Sequence, residues 1–295
     1  NAGNVVAVSA SYGKPRHLYF ILFYTKDPTT GIWSKHDKKI FVISGEGMRR
    51  ATHIAFSGDD NKLAVAMRRY NPTANAATGD TGLVNVYDIT NLDSFESYDG
   101  IETINVNPTG VDPENWHQTL STYIKSYQGD TANMMLGRSI CFNDASGVYL
   151  AVTCLTHNIR VFNTENDSVE YLPQSTAITT THYNYGGPGV WLDVDLSLSQ
   201  TNSHESISIN KDADIVAVGG RGNIIIYQKT APDTWAIKID YYHPLQEGYS
   251  VEGGGSFFGN NVRLVTTSET TMLVATMERY AWLGNYNWQA LGWSD

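Results

Sequence analysis

Positive charge, cysteine, helical periodicity and long apolar runs are all scarce in this sequence. Lys and Arg number 20 against 30 Asp and Glu, a formal charge of −10 at pH 7. The chain therefore lacks the net basic surface whose released counterions drive binding to nucleic acid. Two cysteines, Cys141 and Cys154, are too few for a disulfide-held scaffold. No run approaches the roughly 18 apolar residues of a membrane-spanning helix. The longest candidate, Leu18 to Tyr24, is strand-sized, and no membrane insertion is expected. The 8 histidines are scattered without metal-ligand spacing, so neither a metal nor a cofactor is expected. The chain opens at Asn1 with no Met and no signal-peptide pattern, which suggests a single domain, 1–295, cut from a longer chain.

What is abundant is Val, Ile, Thr and Tyr, gathered into runs of strand length and punctuated by Gly, Asp, Asn and Pro, an all-β pattern. One unit recurs: an alternating strand, a tight polar turn, a strand centred on Ala-Val, a loop and an aromatic-rich third strand. Its clearest copy is His53 to Ala66, resumed at Gly82 to Asp88. Others run Ser139 to Val152 with Asn158 to Phe162, and Ser206 to Val218 with Asn223 to Tyr227. Less regular copies stand at the ends. One is Val5 to Val8, Leu18 to Tyr24 and Trp33 to Val42. The other is Val262 to Ser268, Met272 to Thr276 and Tyr280 to Trp282, closed by Trp288 to Leu291. The recurring alanine falls at Ala7, Ala64, Ala151, Ala217 and Ala275.

A sheet unit that hides one face cannot bury it alone, but sheets packed around an axis shield each other, the logic of a β-propeller. Ile54 to Val65 followed by Val84-Asn-Val-Tyr-Asp88 resembles the repeats of the FG-GAP-like and WD40-like propeller families, as does Phe258-Gly259 before the last first strand. The resemblance implies an all-β propeller, five blades of mostly four antiparallel strands, with six or seven as alternatives. No copy has the Asp-rich calcium loop of integrin-type repeats or the Gly-His and Trp-Asp dipeptides of the WD40 type, so neither family's ligands carry over. The first copy lacks the first of its four strands. A segment such as Val190 to Leu198, residues outside the chain, or nothing at all are the alternatives for it.

With strands a to d running from axis to rim, b-to-c and d-to-a connections share one face. The long connections are expected there: Met67 to Thr81 as b-to-c, and about Asn107 to Gly137, Ser175 to Ser203 and His243 to Gly255 as d-to-a. Long loops on a rigid scaffold are where binding function concentrates. All arginines except Arg160 and Arg263 are expected on that face, among them Arg50, Arg69, Arg138, Arg221 and Arg279. They suit an anionic group held by charge-assisted bonds, or else pairing with loop carboxylates such as Glu205 and Glu278. Trp116, Tyr183, Tyr185 and Trp191 supply aromatic surface that either stacks on a sugar or a protein partner or pins its own loop.

Catalytic signatures are weak: there is no Gly-x-Ser-x-Gly elbow, zinc helix or phosphate loop. A glycoside hydrolase needs two facing carboxylates, for which only Glu205, Asp193 and Asp195 offer themselves. The expected function is a non-enzymatic adhesion domain, extracellular or on a virion surface, that recognises a glycan or cell-surface receptor. The alternatives are an interaction module bound to other subunits of an assembly, and a five-bladed glycosidase.

Overall fold

In a computed structural model these runs pair as antiparallel strands. The structure describes residues 3–12, 18–42, 53–71, 79–95, 122–143, 147–155, 159–173, 181–184, 191–194, 206–219, 223–242, 257–266, 271–278 and 287–291. Two compact units divide the chain, Asn1–Gly137 and Arg138–Asp295.

The first unit holds two sheets. β1 (Val5–Tyr12), β2 (Leu18–Lys26) and β3 (Trp33–Val42) form a three-stranded sheet in chain order. β4 (His53–Phe56), β5 (Lys62–Met67), β6 (Leu83–Asp88) and β7 (Lys125–Gln128) form a four-stranded one. Ile21, Phe23 and Ile40 of the first sheet cluster with Leu63, Val65, Met67 and Tyr87 of the second. A 3-10 turn at Leu92–Ser94, capped by the Asn91 side chain, brings Phe95 onto Phe23 with ring centroids 6.4 Å apart.

The second unit repeats this plan. β8 (Ile140–Phe142), β9 (Tyr149–Val152), β10 (Arg160–Asn163) and β11 (Val169–Tyr171) make one four-stranded sheet. A separate hairpin follows, β12 (Thr181–Asn184) with β13 (Trp191–Val194). The next four-stranded sheet is β14 (Ser206–Ile209), β15 (Ile215–Gly219), β16 (Asn223–Ala231) and β17 (Thr234–Tyr242). β18 (Phe257–Thr266), β19 (Thr271–Glu278) and β20 (Asn287–Leu291) form the last.

Alternation within β15 and β16 explains how these sheets stack. Val216, Val218, Ile225 and Tyr227 cluster with Cys141, Ala151 and Val161 of the preceding sheet. Ile215, Ala217, Ile224 and Ile226 cluster with Val262, Leu264 and Leu273 of the following one. A strand covered on both faces has no polar side to show, which is why these segments read as continuous apolar runs. The first strands of successive sheets pack together, β14 against both β8 and β18. Ser208 on β14 also accepts the Leu264 backbone N–H at 2.9 Å.

The all-β class and the four-stranded antiparallel unit agree with expectation, and the recurring alanines lie on β1, β5, β9, β15 and β19. Three details differ. The loop expected over 107–137 contains β7, whose sequence Lys-Ser-Tyr-Gln buries only Tyr127 and so carries no alternating apolar signal. Trp191 and its neighbours pair with β12 rather than beside β1. The third strand of the last sheet is Asn287–Leu291, whereas Tyr280 to Trp282 lie outside the described residues. Cys141 sits opposite Ala151, and both cysteines are buried and outside any disulfide.

A candidate ligand-binding end of the sheets

One end of each four-stranded sheet is closed by the same device. The residue after the first strand, Ser57, Asn143 or Asn210, is buried. Its side-chain oxygen accepts the backbone N–H that opens the second strand, from Lys62 at 2.9 Å, Tyr149 at 3.1 Å and Ile215 at 2.9 Å. A residue just past the third strand, or within its last residues in the case of β16, joins the same turn. Ile89, Thr164 and Lys229 donate their backbone N–H groups to the carbonyls of Asn61, Val148 and Asp214. Buried backbone groups are thereby paired and a buried polar side chain is satisfied.

In the first unit this end also carries depressed carboxylates. Burial is the largest influence on Asp59 and pulls its pKa up, but donors from Ser57 and Asn61 outweigh it, so the group lies below its ordinary 3.8. The Thr90 hydroxyl and backbone N–H lower Asp88. A group whose folded pKa is depressed stabilises the fold above its unfolded pKa and loses that contribution as pH falls toward the folded value. Thermal stability should accordingly hold from pH 6 to 5 and drop below about pH 4, measured by calorimetry. The double substitution Asp59→Asn with Asp88→Asn should flatten that drop, and an unchanged profile would remove these two groups as its cause.

The opposite end is built differently. After β5 the chain runs through Arg68, Arg69 and Tyr70, all half-buried. The Tyr70 carbonyl accepts N–H groups from Thr81 at 2.9 Å and Gly82 at 3.1 Å. Residues following β7 fold onto the same strip, with Met135 N–H donating to the Asp80 carbonyl and Leu136 N–H to that of Thr81. Gly82 has φ +84, and a Cβ there would land on the Leu136 backbone; only glycine permits so close an approach.

Arg69 thus stands at the b-to-c end of its sheet, as expected. Arg138 is half-buried just before β8, and its N–H donates to the Thr153 carbonyl at 3.2 Å, so it too stands at the b-to-c end of its own sheet. Tyr183 pairs with Leu192 and Trp191 with Asn184 in the β12–β13 hairpin, within the d-to-a connection from β11 to β14. Arg50, Trp116, Tyr185, Arg221 and Arg279 lie outside the described residues. The expectation that every long connection shares one face is corrected by β7. The stretch holding Trp116 connects β6 to β7, so it starts and finishes at the end carrying the Ser57 turn. Of the carboxylates considered for glycosidic chemistry, Asp193 lies on β13, while Glu205 and Asp195 lie outside the described residues. Among the described residues no three His, Cys, Asp or Glu side chains group as metal ligands.

Sequence reasoning missed a charged tie between sheets of the second unit. Glu170 on β11 is only 7% exposed. Its carboxylate takes Lys229 Nζ at 2.6 Å and the Trp235 indole N–H at 2.6 Å. A charged residue at the centre of a three-residue strand gives no pattern from which this could be read. The turn caps were missed as well, although aligning the three complete copies places Ser57, Asn143 and Asn210 in one column.

No protein-family model matches the chain, and no curated protein does. Among solved structures the chain is similar to the β-propeller domain of Myceliophteria thermophila Cps50 (Swd1), at 11% identity and a TM-score of 0.41, over 91% of this chain and 62% of that one. It is also similar to Kuenenia stuttgartiensis hydrazine synthase, at 12% identity and a TM-score of 0.47, over 95% of this chain and 69% of that one. The chain therefore spans 62% of the length of the first of these.

Proposed function

We propose that this chain is a five-bladed β-propeller of the FG-GAP-like or WD40-like kind that serves as a non-enzymatic recognition domain. It takes a glycan or other anionic cell-surface ligand at the b-to-c and d-to-a end of its sheets, in an extracellular or virion-surface setting. The observation that carries this reading is the inequality of the two ends. At each a-to-b end a buried side chain accepts the backbone N–H that opens the second strand. Arg69 and Arg138, by contrast, each stand at the b-to-c end of their own sheet, and within the second unit the β12–β13 hairpin is inserted in the d-to-a connection from β11 to β14. Guanidinium groups at a loop-bearing end suit carboxylate or sulfate groups on sugars. Replacing Arg69, Arg221 and Arg279 together with Trp191 by alanine should lower glycan-array and cell-surface binding at least tenfold while preserving the melting temperature. Unchanged binding would place the site elsewhere.

A second reading, an interaction module within an assembly, draws on the fourth strands. Each carries or adjoins an exposed large apolar residue: Trp33 on β3, Tyr123 before β7, Tyr171 on β11 and Ile237 on β17. Such side chains favour protein contacts along the outer strands.

A further inference from the structure

In the three complete sheets the recurring alanine does a specific backbone job. The Ser57, Asn143 and Asn210 N–H groups donate to the carbonyls of Lys62, Tyr149 and Ile215. Antiparallel hydrogen-bonded pairs recur every second residue, so Ala64, Ala151 and Ala217 each exchange both backbone bonds with the middle residue of the first strand. Those middle residues are Ala55, Cys141 and Ser208. They are small, and apolar residues flank them: Ile54 and Phe56, Ile140 and Phe142, Ile207 and Ile209.

β1, the edge strand of its three-stranded sheet, corresponds to the second strand of the complete sheets, with Val6-Ala7-Val8 matching Leu63-Ala64-Val65 and Leu150-Ala151-Val152. The Lys26 N–H donates to the Asn4 carbonyl at 2.8 Å. By the same two-residue alternation, Val6, Val8 and Ala10 bond toward β2, and the N–H and C=O groups of Val5, Ala7, Ser9 and Ser11 point outward. Among the described residues no strand pairs with that edge. β1 is 8 residues long, VVAVSASY, without the charge, proline or bulge that natural edge strands use against pairing. Val6 and Val8 are 43% and 41% exposed, whereas their counterparts Leu63 and Val65 are fully buried beside the Phe56 and Ile54 of a first strand.

We propose that the outer edge of β1 is a strand-accepting site, and that its occupant is an extended segment of another polypeptide. That segment pairs antiparallel with β1 and carries the pattern Ile, small residue, Phe or Ile, then Ser or Asn. The small residue exchanges both backbone bonds with Ala7, and the two apolar residues lie beside Val8 and Val6. Main-chain bonds supply affinity and the alternate side chains supply specificity, as in other strand-addition complexes. The site is distinct from the loop-bearing end and stands independently of the ligand proposed there.

The test uses a fluorescein-labelled peptide containing Ser-Ile-Ser-Ile-Asn, copied from Ser206–Asn210, added to the full chain and followed by anisotropy. Saturable binding is expected, weakened at least tenfold by Ala7→Pro. Ala7 N–H points away from β2, so proline there spares the internal ladder. Should that variant fail to fold, a peptide N-methylated at its central Ser removes the matching donor without touching the protein, and the same loss is expected. Binding indifferent to both changes would overturn the proposal. Absence of binding would also overturn it. Slow hydrogen exchange at Val5, Ala7 and Ser9 would then identify the chain itself as the cover, and an Ala7→Pro-sensitive dimer in sedimentation would identify a second copy.

Discussion

Replacing Glu170 by alanine is expected to destabilise the second unit by about 3 kcal/mol, the low end of the cost of breaking a buried ion pair. Melting should fall by roughly 6–12 °C on the scale appropriate to a domain of this size. Two groups lose their partner at once. The Trp235 indole N–H keeps no acceptor in a core where the ring is 6% exposed. The Lys229 ammonium loses its counter-ion, though its side chain is 22% exposed and can turn to water, which is why the estimate stays at the low end. Glu170→Gln separates the two contributions. Glutamine still offers an oxygen to the indole but no charge to the ammonium, and should cost about 1–2 kcal/mol. Denaturant titration reads both; if alanine, glutamine and parent chains coincide, the tie contributes nothing to stability.

Gly82→Ala is the second large effect, expected at about 2–5 kcal/mol. Two costs add: an L-residue in left-handed backbone, about 1–2 kcal/mol, and forced overpacking, about 1–3 kcal/mol. At Gly82 the obstruction is the Leu136 backbone, which cannot swing aside as a side chain would. Moving it would also strain the bonds from Gly82 N–H to the Tyr70 carbonyl and from Gly129 N–H to the Gly82 carbonyl. Gly31→Ala is the control. It has a similar φ of +71, but its nearest neighbour is the end of the Lys26 side chain at 3.7 Å. Only the conformational cost of about 1–2 kcal/mol should appear there. Equal losses at the two glycines would mean that the close approach of the 129–137 strip to Gly82 does not govern stability.

Inner strands were legible from sequence and the short outer strands β7 and β11 were not, for a physical reason. β5 and β15 are covered on both faces, so nearly every residue is apolar and the Ala-Val signature repeats. β7 and β11 have one covered face and are only 4 and 3 residues long, which leaves one inward position each. Tyr127 fills one and Glu170 the other, and a lone tyrosine or an inward carboxylate is invisible to periodicity. Missing β7 also misclassed the connection bearing Trp116. Arg69 and Arg138 could be assigned to their connections from sequence because they lie close to the legible inner strands β5 and β8. The Glu170–Lys229–Trp235 tie joins positions 59 and 65 residues apart, a separation over which sequence offers no cue.

The turn caps carry a consequence for how such a chain can change length. Side chain and opening N–H are five positions apart at Ser57–Lys62 and Asn210–Ile215 but six apart at Asn143–Tyr149, and the same bonds form in each. First, second and third strands are clamped outside the turn's central residues, which are left to set only its contour. Lengthening there costs little beyond loop-closure entropy, which grows slowly with length. Each a-to-b turn is in effect a socket, at which foreign segments can be gained or grafted while the register of the strands below it is preserved.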